Sequence, residues 1–326
     1  MSTRVLFLGG AGMIGSAAAR EAVRQGIDLT IVTRNEPTRS IPEEVTQVRG
    51  DVRQVSELER ITKGQRYDAV VNWIGFSPKD LDGHAALFRE ITGQYVFIST
   101  CSVFGRPVPQ LPITESSPRK QPVFQYAREK IECEDLLEVA YREEGLPLTI
   151  VRPFHTYDET VLPVLSGWTA VDRLRSGRGV IVHGDGTSLW SLTHSSDFAR
   201  AFVPLLGDQH AVGESVNVVS GDITTWDQIH LELAAAAGVR DPKLVHRSSE
   251  SIATEIPGWG EVLQEDFRHS MLFDTTKLKR LVPDFAPRVS LSQGLREAVE
   301  YFEADESRQQ IDETLSAAFD RLIEKD

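Results

Sequence analysis

A tyrosine and a lysine four residues apart open a helical pattern in the stretch QYAREKIECEDLL, residues 125 to 137. Positions i and i+4 face the same side of a helix, so the Tyr126 hydroxyl and the Lys130 ammonium can share one patch of space. A free tyrosine has a pKa of about 10, which a nearby positive charge lowers toward the neutral range. The pair therefore indicates acid and base chemistry. The alternative is a surface pair, in which the lysine stem covers the ring and its head stays in water.

A glycine-rich turn follows the first apolar run of the chain, in VLFLGGAGMIG. Gly9, Gly10 and Gly12 let the backbone turn sharply and let a pyrophosphate approach the start of the next helix. There, unpaired N–H groups and the helix dipole favour negative charge. A strand, this turn and a helix that begins with Met13 and Ile14 together predict a dinucleotide-binding site.

The residues after the second and third predicted strands bear on the choice of cofactor. NAD sites usually carry an acidic residue at the end of the second strand, where this chain has Thr33 and Arg34, with Arg39 nearby. A guanidinium suits a 2′-phosphate, so NADP is favoured over NAD. The alternative is that Arg34 stacks on the adenine of NAD. Asp51 and Val52 are expected beside the adenine, with a solvated turn as the alternative for the aspartate.

The first half of the chain alternates short β-branched runs with helical patterns, which is typical of a parallel sheet covered by helices on both faces. This pattern predicts an α/β fold, a doubly wound parallel (Rossmann) sheet with a smaller, discontinuous α/β substrate-binding domain. The predicted strands are 5–8, 29–33, 46–50, 69–74, 95–100, 148–152 and 215–220, and the predicted helices are 13–25, 125–144 and 196–206.

The same pattern divides the chain into domains. The dinucleotide-binding domain is assigned to residues 1–152 and is rejoined by about 196–222. Residues 153–195 and 223–304 form the substrate-binding domain, and 305–326 a C-terminal helix. Six apolar residues of that helix share one face, so we expect it to pack on the body or on the partner subunit of a homodimer: Ile311, Leu315, Ala318, Phe319, Leu322 and Ile323.

Composition excludes several classes of function. The 326-residue chain has a net charge of -13 and no run of basic residues, whereas phosphate backbones require clustered Lys and Arg. Cys101 and Cys133 lack metal-ligand spacing, so no metal is expected. No apolar stretch approaches the ~20 residues that span a bilayer, and MSTRVLFLGG lacks the pattern of a signal peptide. We expect a cytoplasmic protein without nucleic-acid or membrane partners.

Four motifs in order give the chain a family resemblance: GGAGMIG, ISTCSVFG at 98 to 105, the Tyr126 and Lys130 pair, and GDGTSLWSLTHSSDFARA. Over roughly residues 4 to 300 the sequence resembles the extended short-chain dehydrogenase/reductases, in particular the NAD-dependent epimerase/dehydratase group. The resemblance implies that Tyr126 is the acid/base, that Lys130 holds the nicotinamide ribose, and that Thr100 aids the proton transfer, with Ser102 as the alternative. Gly75 and Pro153 complete the expected cofactor contacts.

Several positions depart from the sugar-nucleotide members of that family, and two of them bear on the substrate. Trp190 stands where they carry an arginine that clamps the substrate diphosphate, and His155 stands where many have a substrate-contacting asparagine. An indole cannot pair with a phosphate, but it can stack on a sugar ring. We therefore expect a sugar or glycoside without a nucleotide, contacted by Ser102, His155 and Trp190, with Trp73 or Trp168 also stacking. A buried Trp190 is the alternative.

These residues predict an NAD(P)-dependent oxidoreductase, epimerase or dehydratase acting on a hydroxyl or ketone of a sugar-like substrate. Arg173, Arg175 and Arg178 leave open the binding of a diphosphate, because they precede the GDG loop. A rival function is non-catalytic nucleotide or RNA binding, since YDAVVNWIGFSPKDLDGHAALF and AVGESVNVVSGDITTWDQI also resemble chloroplast stem-loop RNA-binding proteins. The intact Tyr126 and Lys130 and the acidic charge favour the enzyme.

Overall fold

The computed structural model describes residues 2–324, which fold around one large parallel sheet and three smaller strand pairs. The strands are β1 Arg4–Leu8, β2 Asp28–Thr33, β3 Thr46–Arg49, β4 Ala69–Asn72, β5 Tyr95–Ile98, β6 Leu148–Pro153, β7 Thr156–Tyr157, β8 Val180–His183, β9 Leu189–Trp190, β10 Thr193–His194, β11 Ser215–Val218, β12 Thr224–Thr225 and β13 Leu244–Arg247.

Helices cover both faces of the sheet and build the region beyond its edge. They are α1 Met13–Arg24, α2 Val55–Thr62, α3 His84–Phe88, α4 Gln125–Val139, α5 Gly167–Arg175, α6 Ser195–Phe202, α7 Trp226–Ala236, α8 Ser249–Glu255, α9 Gly260–Val262, α10 Thr276–Leu281, α11 Leu291–Glu303 and α12 Glu313–Glu324. A π-helical turn, Ala140–Glu144, continues α4, so the helix predicted at 125–144 is confirmed.

The main sheet has seven parallel strands in the order β11, β6, β5, β4, β1, β2, β3. The chain runs outward from β1 to β3 and then returns to β4 on the other side of β1. The carboxyl ends of β1 and β4 therefore flank the point where the strand order reverses, which is where open parallel sheets bind ligands. The predicted α/β, doubly wound fold class is confirmed.

Apolar residues on successive positions of β1 explain why both faces are covered. Val5 and Phe7 join the cluster that contains residues of α1 and α6, whereas Leu6 and Leu8 join the cluster that contains residues of α4. Side chains alternate across a strand, so a continuous apolar run requires helices on both sides. The sheet is thereby buried, and only its strand ends remain to form a site.

β4 and β5 each end two residues earlier than predicted, and polar side chains bind the backbone just beyond both ends. The Asn72 carboxamide oxygen accepts from the N–H groups of Ile74 and Gly75, at 3.0 and 2.8 Å, which ends β4. The Thr100 hydroxyl oxygen accepts from the Ser102 N–H at 3.1 Å and caps the one-turn 3-10 helix Cys101–Val103. Both captures turn the chain at the carboxyl edge of the sheet.

The C-terminal helix begins later than predicted. α12 spans Glu313–Glu324, so Ile311 precedes it and is 40% exposed. Phe319 and Leu322 are buried and pack in the cluster of the smaller region, beside Trp259. The tail therefore packs on the body of its own chain, and the predicted residues 325 and 326 lie outside the described part.

A buried ion pair holds α4 against the sheet. The Arg152 guanidinium on β6 donates to both carboxylate oxygens of Glu134, at 2.8 and 2.7 Å, and Arg119 donates at 2.6 Å. Glu134 and Arg152 are 0% and 1% exposed. Burial alone would raise the pKa of Glu134, but the hydrogen bonds and charge of Arg152, with the charge of Arg119, hold that pKa below its ordinary value.

Glu134→Gln should lower the free energy of unfolding by about 3 kcal/mol, because it leaves the buried Arg152 without a counter-charge. Urea unfolding at neutral pH measures this loss. The pKa of Glu134 lies below 4.5, so the carboxylate contributes fully above that pH, and the difference from wild type should shrink as the pH falls further. Asp135→Asn is the matched control, since Asp135 also pairs with Arg119 but is 59% exposed, and should cost under about 1 kcal/mol. Equal losses for the two variants would contradict the role of the buried pair.

Candidate active site

Two adjoining cavities, of about 450 and 370 Å³, run along the carboxyl edge of the sheet and share four lining residues, Gly10, Gly12, Ile74 and Phe76. The first is also lined by Met13, Ile14, Gly15, Trp73, Ile98, Ser99, Thr100, Tyr126, Lys130, Pro153, His155 and Thr156. The second is also lined by Gly9, Ala11, Val32, Thr33, Arg34, Asn35, Glu36, Pro37, Thr38, Gly50, Val52 and Arg53.

The glycine turn between β1 and α1 forms the floor where the cavities meet. Gly9 and Gly10 have φ values of 81° and 88°, which side chains rarely adopt. A Cβ on Gly15 would lie 2.3 Å from the Gly10 carbonyl oxygen, so helix and turn pack without room for a side chain. A Cβ on Gly12, by contrast, would meet nothing within 4 Å. Gly12 therefore leaves open space directly before the helix.

The start of α1 has the features of an anion-binding site. Gly12 is its N-cap and offers no side-chain hydrogen bond, and the first turn carries no acidic residue. The first N–H groups of a helix have no partner within the helix, and the dipole makes this end positive. With Met13 and Ile14 lining the first cavity, these residues fit the pyrophosphate of a dinucleotide.

Lys130 connects α4 to the backbone at the ends of β4 and β5. Its ammonium is buried and donates to the carbonyl oxygens of Gly75 and Ile98, at 2.8 and 2.7 Å. Burial lowers the pKa of Lys130 to about 8. Its nitrogen lies 6.0 Å from the centre of the Tyr126 ring, and one of its three N–H groups remains for a ligand.

Tyr126 and Thr100 meet in the first cavity. Burial raises the pKa of Tyr126, and a hydrogen bond with Thr100 opposes that rise. Ser102 uses its backbone N–H to hold Thr100 and lines neither cavity. The predicted pair of Tyr126 and Thr100 is therefore brought together, whereas Ser102 supports Thr100 from outside.

The second cavity contains the residues expected at the adenosine. Thr33, Arg34 and Val52 line it, and the Arg34 side chain is 54% exposed, with its nearest carboxylate, Asp51, at 4.0 Å. Asp51 itself accepts from the Arg53 N–H at 3.1 Å and lies outside the lining. Arg34 is thus available to a ligand, while Asp51 caps its own turn.

Arg39 was expected to contact the cofactor, but its guanidinium is bound elsewhere. Its guanidinium pairs with Asp158, which is 0% exposed, and donates to the Thr160 hydroxyl at 2.5 Å. It lines neither cavity. The reason is electrostatic: the buried Asp158 carboxylate requires a counter-charge, and Arg39 supplies it across 119 residues of sequence.

The expectation that tryptophans stack on the substrate is corrected. Trp190 is 1% exposed and packs against Phe154, Trp226 and Phe267, at ring distances of 4.8, 5.2 and 5.1 Å. Such a ring has no face for a sugar, so the alternative of a core residue holds.

Trp168 is also a core residue, whereas Trp73 is 9% exposed and lines the first cavity with one edge. Trp73 packs 5.3 Å from the Phe202 ring and directly under Gly10, where a Cβ would lie 2.8 Å from the indole. It therefore supports the glycine turn. Trp168 stacks on Phe302 at 5.6 Å and lines neither cavity.

The three arginines that could have bound a substrate diphosphate lie outside both cavities. Arg173 is buried and donates to Ser316 and Asp320 of the C-terminal helix. Arg175 pairs with Glu303 and Arg178 with Asp172, and none of the three lines either cavity. The lining of the first cavity contains one cationic side chain, Lys130.

His155 lines the first cavity, as expected of a residue that follows a strand at this edge. The Trp190 indole N–H donates to its Nδ1 at 2.7 Å. Burial among aromatic rings lowers the pKa of His155 to about 4, so it is neutral at neutral pH. Phe76 was missed by sequence reasoning, although it lines both cavities and its ring lies 6.5 Å from Tyr126. Its position directly after β4 was the available signal.

Residues 2–324 contain no cluster of three or more His, Cys, Asp or Glu residues arranged to hold a metal ion. No helix in this part of the chain has the length and apolar content needed to span a bilayer.

Comparisons with known proteins agree with the fold. Over 310 residues the chain is 23% identical to the chloroplast stem-loop binding protein of 41 kDa b of Arabidopsis thaliana, covering 90% of this chain and 78% of that protein. It is 27% identical to the UDP-N-acetyl-alpha-D-glucosaminuronate decarboxylase of Bacillus cytotoxicus, covering 93% and 98%. The structure of dTDP-glucose 4,6-dehydratase from Bacillus anthracis in complex with NAD superposes with a TM-score of 0.73 at 20% identity, covering 94% and 98%.

The family comparison concerns the part of the chain that builds the main sheet. The model of the NAD dependent epimerase/dehydratase family matches residues 5–219, which include the glycine turn, Thr100, Tyr126 and Lys130. The chain therefore belongs to the NAD-dependent epimerase/dehydratase family of extended short-chain dehydrogenase/reductases.

Proposed function

We propose that this protein is an NAD(P)-dependent oxidoreductase, epimerase or dehydratase that acts on a hydroxyl or ketone of a sugar-like substrate, with Tyr126 as the acid/base. The observation that carries the proposal is the first cavity, which is lined by the glycine turn, Thr100, Tyr126 and Lys130 together. Family membership supports the general kind of reaction.

The proposed proton chemistry follows from the charges at the site. A bound nicotinamide supplies the hydride acceptor. Burial keeps the pKa of Tyr126 above its ordinary value, so removal of a substrate proton by its phenolate requires added positive charge. Lys130 provides such charge below pH about 8 and has one N–H left for the ribose. Thr100 donates to the substrate oxygen as charge develops there.

We propose NADP as the favoured cofactor, on the support of Arg34 alone. Its exposed guanidinium lines the second cavity with Thr33, and a guanidinium pairs well with a 2′-phosphate. Arg39, which the sequence also suggested, is engaged by Asp158. The dehydratase of Bacillus anthracis contains NAD, so a measured preference for NAD would assign Arg34 to the adenine face.

We propose a sugar or glycoside without a nucleotide as the substrate. The relatives' names include UDP and dTDP sugars, but Trp190, which stands at the sequence position of the expected diphosphate clamp, is part of an aromatic cluster in this chain. Bringing a diphosphate beside such rings without a cationic partner would cost several kcal/mol. The single cation in the first cavity, Lys130, is already bonded to two carbonyl oxygens.

RNA binding is the second candidate, favoured by the similarity to the stem-loop binding protein over 90% of this chain. A net charge of -13 opposes it, since RNA affinity rises with clustered positive charge. Gel-shift titration with an RNA stem-loop tests it directly: tight, salt-sensitive binding would favour this candidate over the enzyme.

For assembly and location we propose a cytoplasmic homodimer. Three apolar side chains of α4 and the turn that continues it support an interface, because Leu136, Val139 and Tyr141 are 46%, 39% and 41% exposed.

Tyr126→Phe should lower turnover at least about a hundredfold while cofactor affinity stays the same, because only the ionisable oxygen is removed. Turnover of free hexoses and methyl hexosides is followed by nicotinamide absorbance for net oxidation or reduction, and by proton NMR of the sugars for epimerisation or dehydration, which return the hydride and leave the nicotinamide unchanged. Affinity is followed by fluorescence, since Trp73 lines the first cavity. Lys130→Met should impair both quantities. Substantial turnover by Tyr126→Phe would remove Tyr126 from the acid/base role.

Arg34→Ala should reduce the ratio of NADP to NAD affinity by about tenfold, because a charge-assisted hydrogen bond to the 2′-phosphate is lost. Titrations of both cofactors measure the ratio. Arg39→Ala is the matched control: the ratio should stay the same while the melting temperature falls, since Asp158 loses its partner. A wild-type preference for NAD, or a changed ratio in the control, would contradict this assignment.

Isothermal titration of UDP and dTDP into the NADP-saturated protein should detect no binding at micromolar concentrations, because the first cavity lacks a free cation for the diphosphate. Saturation with NADP restricts the titration to the substrate region. Micromolar binding that disappears on substituting Arg173, Arg175 or Arg178 would restore a sugar-nucleotide substrate.

A further inference from the structure

The backbone at His155 is unusual. Among residues 2–324 it is the one non-glycine residue with a positive φ, at 28°. Such a conformation is uncommon for side chains other than Asn, Asp and His, and it persists where the surroundings impose it. Here His155 lies between β6 and β7, and its carbonyl oxygen accepts from the Thr193 N–H at 3.2 Å.

The bond from Trp190 determines which nitrogen of His155 carries the proton. An indole N–H can only donate, so Nδ1, which accepts it at 2.7 Å, must be unprotonated. A neutral imidazole then carries its proton on Nε2. Nε2 has no hydrogen-bond partner among residues 2–324, and the side chain is only partly buried where it lines the first cavity.

Trp190 cannot turn away from this contact without disrupting the core. Its ring is 1% exposed and wedged between Phe154, Trp226 and Phe267. The His155 ring itself stacks on Phe267 at 5.7 Å with an interplanar angle of 27°. The orientation of the imidazole is therefore set by packing as well as by the hydrogen bond.

We propose that Trp190 is a positioning residue that holds His155 as the Nε2–H tautomer, and that this N–H is a substrate-binding donor in the cavity of Tyr126. The proposal rests on the proposed function, because it assigns a contact to that substrate. It makes the Trp190 and His155 pair a determinant of specificity at two of the positions where the chain departs from its family's pattern.

The chemistry of the pair selects an uncharged acceptor. A neutral N–H donor suits a hydroxyl, ring or carbonyl oxygen, whereas an anionic group would favour a cation in its place. Burial also opposes protonation of His155, which keeps the ring uncharged. The substrate class is therefore a neutral sugar whose oxygen faces His155 while another oxygen faces Tyr126.

The tautomer is measured first, without any substrate. Long-range proton–nitrogen NMR of the full-length protein with labelled histidines should show His155 protonated at Nε2, with His155→Asn identifying its signals. Trp190→Phe keeps an aromatic ring but removes the donor, and should shift His155 toward a mixture of tautomers. Trp226→Phe is the matched control, because Trp226 belongs to the same cluster but its N–H has no partner. Protonation at Nδ1 in the wild type overturns the proposal even if Trp190→Phe fails to fold.

The substrate contact is measured next, with the hexoses and methyl hexosides used for turnover. His155→Leu should lower kcat/KM about tenfold, chiefly through KM, with NADP affinity unchanged. His155→Gln places an amide N–H near the former Nε2 and should recover most of the loss. His155→Asn, whose amide falls near Nδ1, should not, although asparagine tolerates the positive φ best.

These outcomes separate the inference from the proposed function. Full kcat/KM in His155→Leu, with turnover still lost in Tyr126→Phe, overturns the inference and leaves the enzyme assignment intact. If no hexose or methyl hexoside is turned over, the proposed function fails and the substrate contact fails with it. The role of Trp190 in setting the tautomer is then still decided by the spectra.

Discussion

The buried ion pair between Glu134 and Arg152 is the constraint on which the site depends, because it fixes the helix that carries the proposed chemistry. Tyr126, Lys130 and Glu134 follow one another at four-residue intervals and so share one face of α4. Glu134 binds the sheet, Lys130 binds the ends of β4 and β5, and Tyr126 extends that row into the first cavity. Loss of the ion pair at Glu134 would weaken the attachment of α4 to the sheet and so the positions of Lys130 and Tyr126.

The ends of the sheet strands also position the residues of the site. Asn72 and Thr100 stop β4 and β5 by capturing backbone N–H groups, so the chain turns away just where Lys130 finds carbonyl oxygens. The glycine turn after β1 leaves the start of α1 open at Gly12. The proposed anion-binding turn, the proposed acid/base Tyr126 and the contacts of Lys130 therefore meet at one edge, because the strands are parallel and end together.

Aromatic packing determines the polarity of the wall of the first cavity at His155. Trp190 and its neighbours bury one side of the His155 ring, which keeps that imidazole neutral and leaves hydrogen bonding as its means of recognition. Arg39 is drawn away from the cofactor by the buried Asp158 for a related reason, since an unpaired carboxylate in that environment would be costly. Two exposed guanidinium groups line the second cavity: Arg53 pairs with Asp80 at 3.0 Å, whereas Arg34 lies 4.0 Å from the Asp51 carboxylate.

The sequence by itself determined what depends on neighbouring residues: the strand, turn and helix around Gly9 to Gly12, the shared face of Tyr126 and Lys130, and the parallel sheet predicted by its apolar runs. Tertiary structure decided the partners of Arg39 and Trp190, which lie 119 and 35 residues away along the chain. Residue type showed that an arginine could bind phosphate and that an indole could stack on a sugar. Only the folded chain brings Asp158 within hydrogen-bonding distance of Arg39, and His155 within hydrogen-bonding distance of Trp190. A buried polar group bonds to whichever partner the packing places beside it.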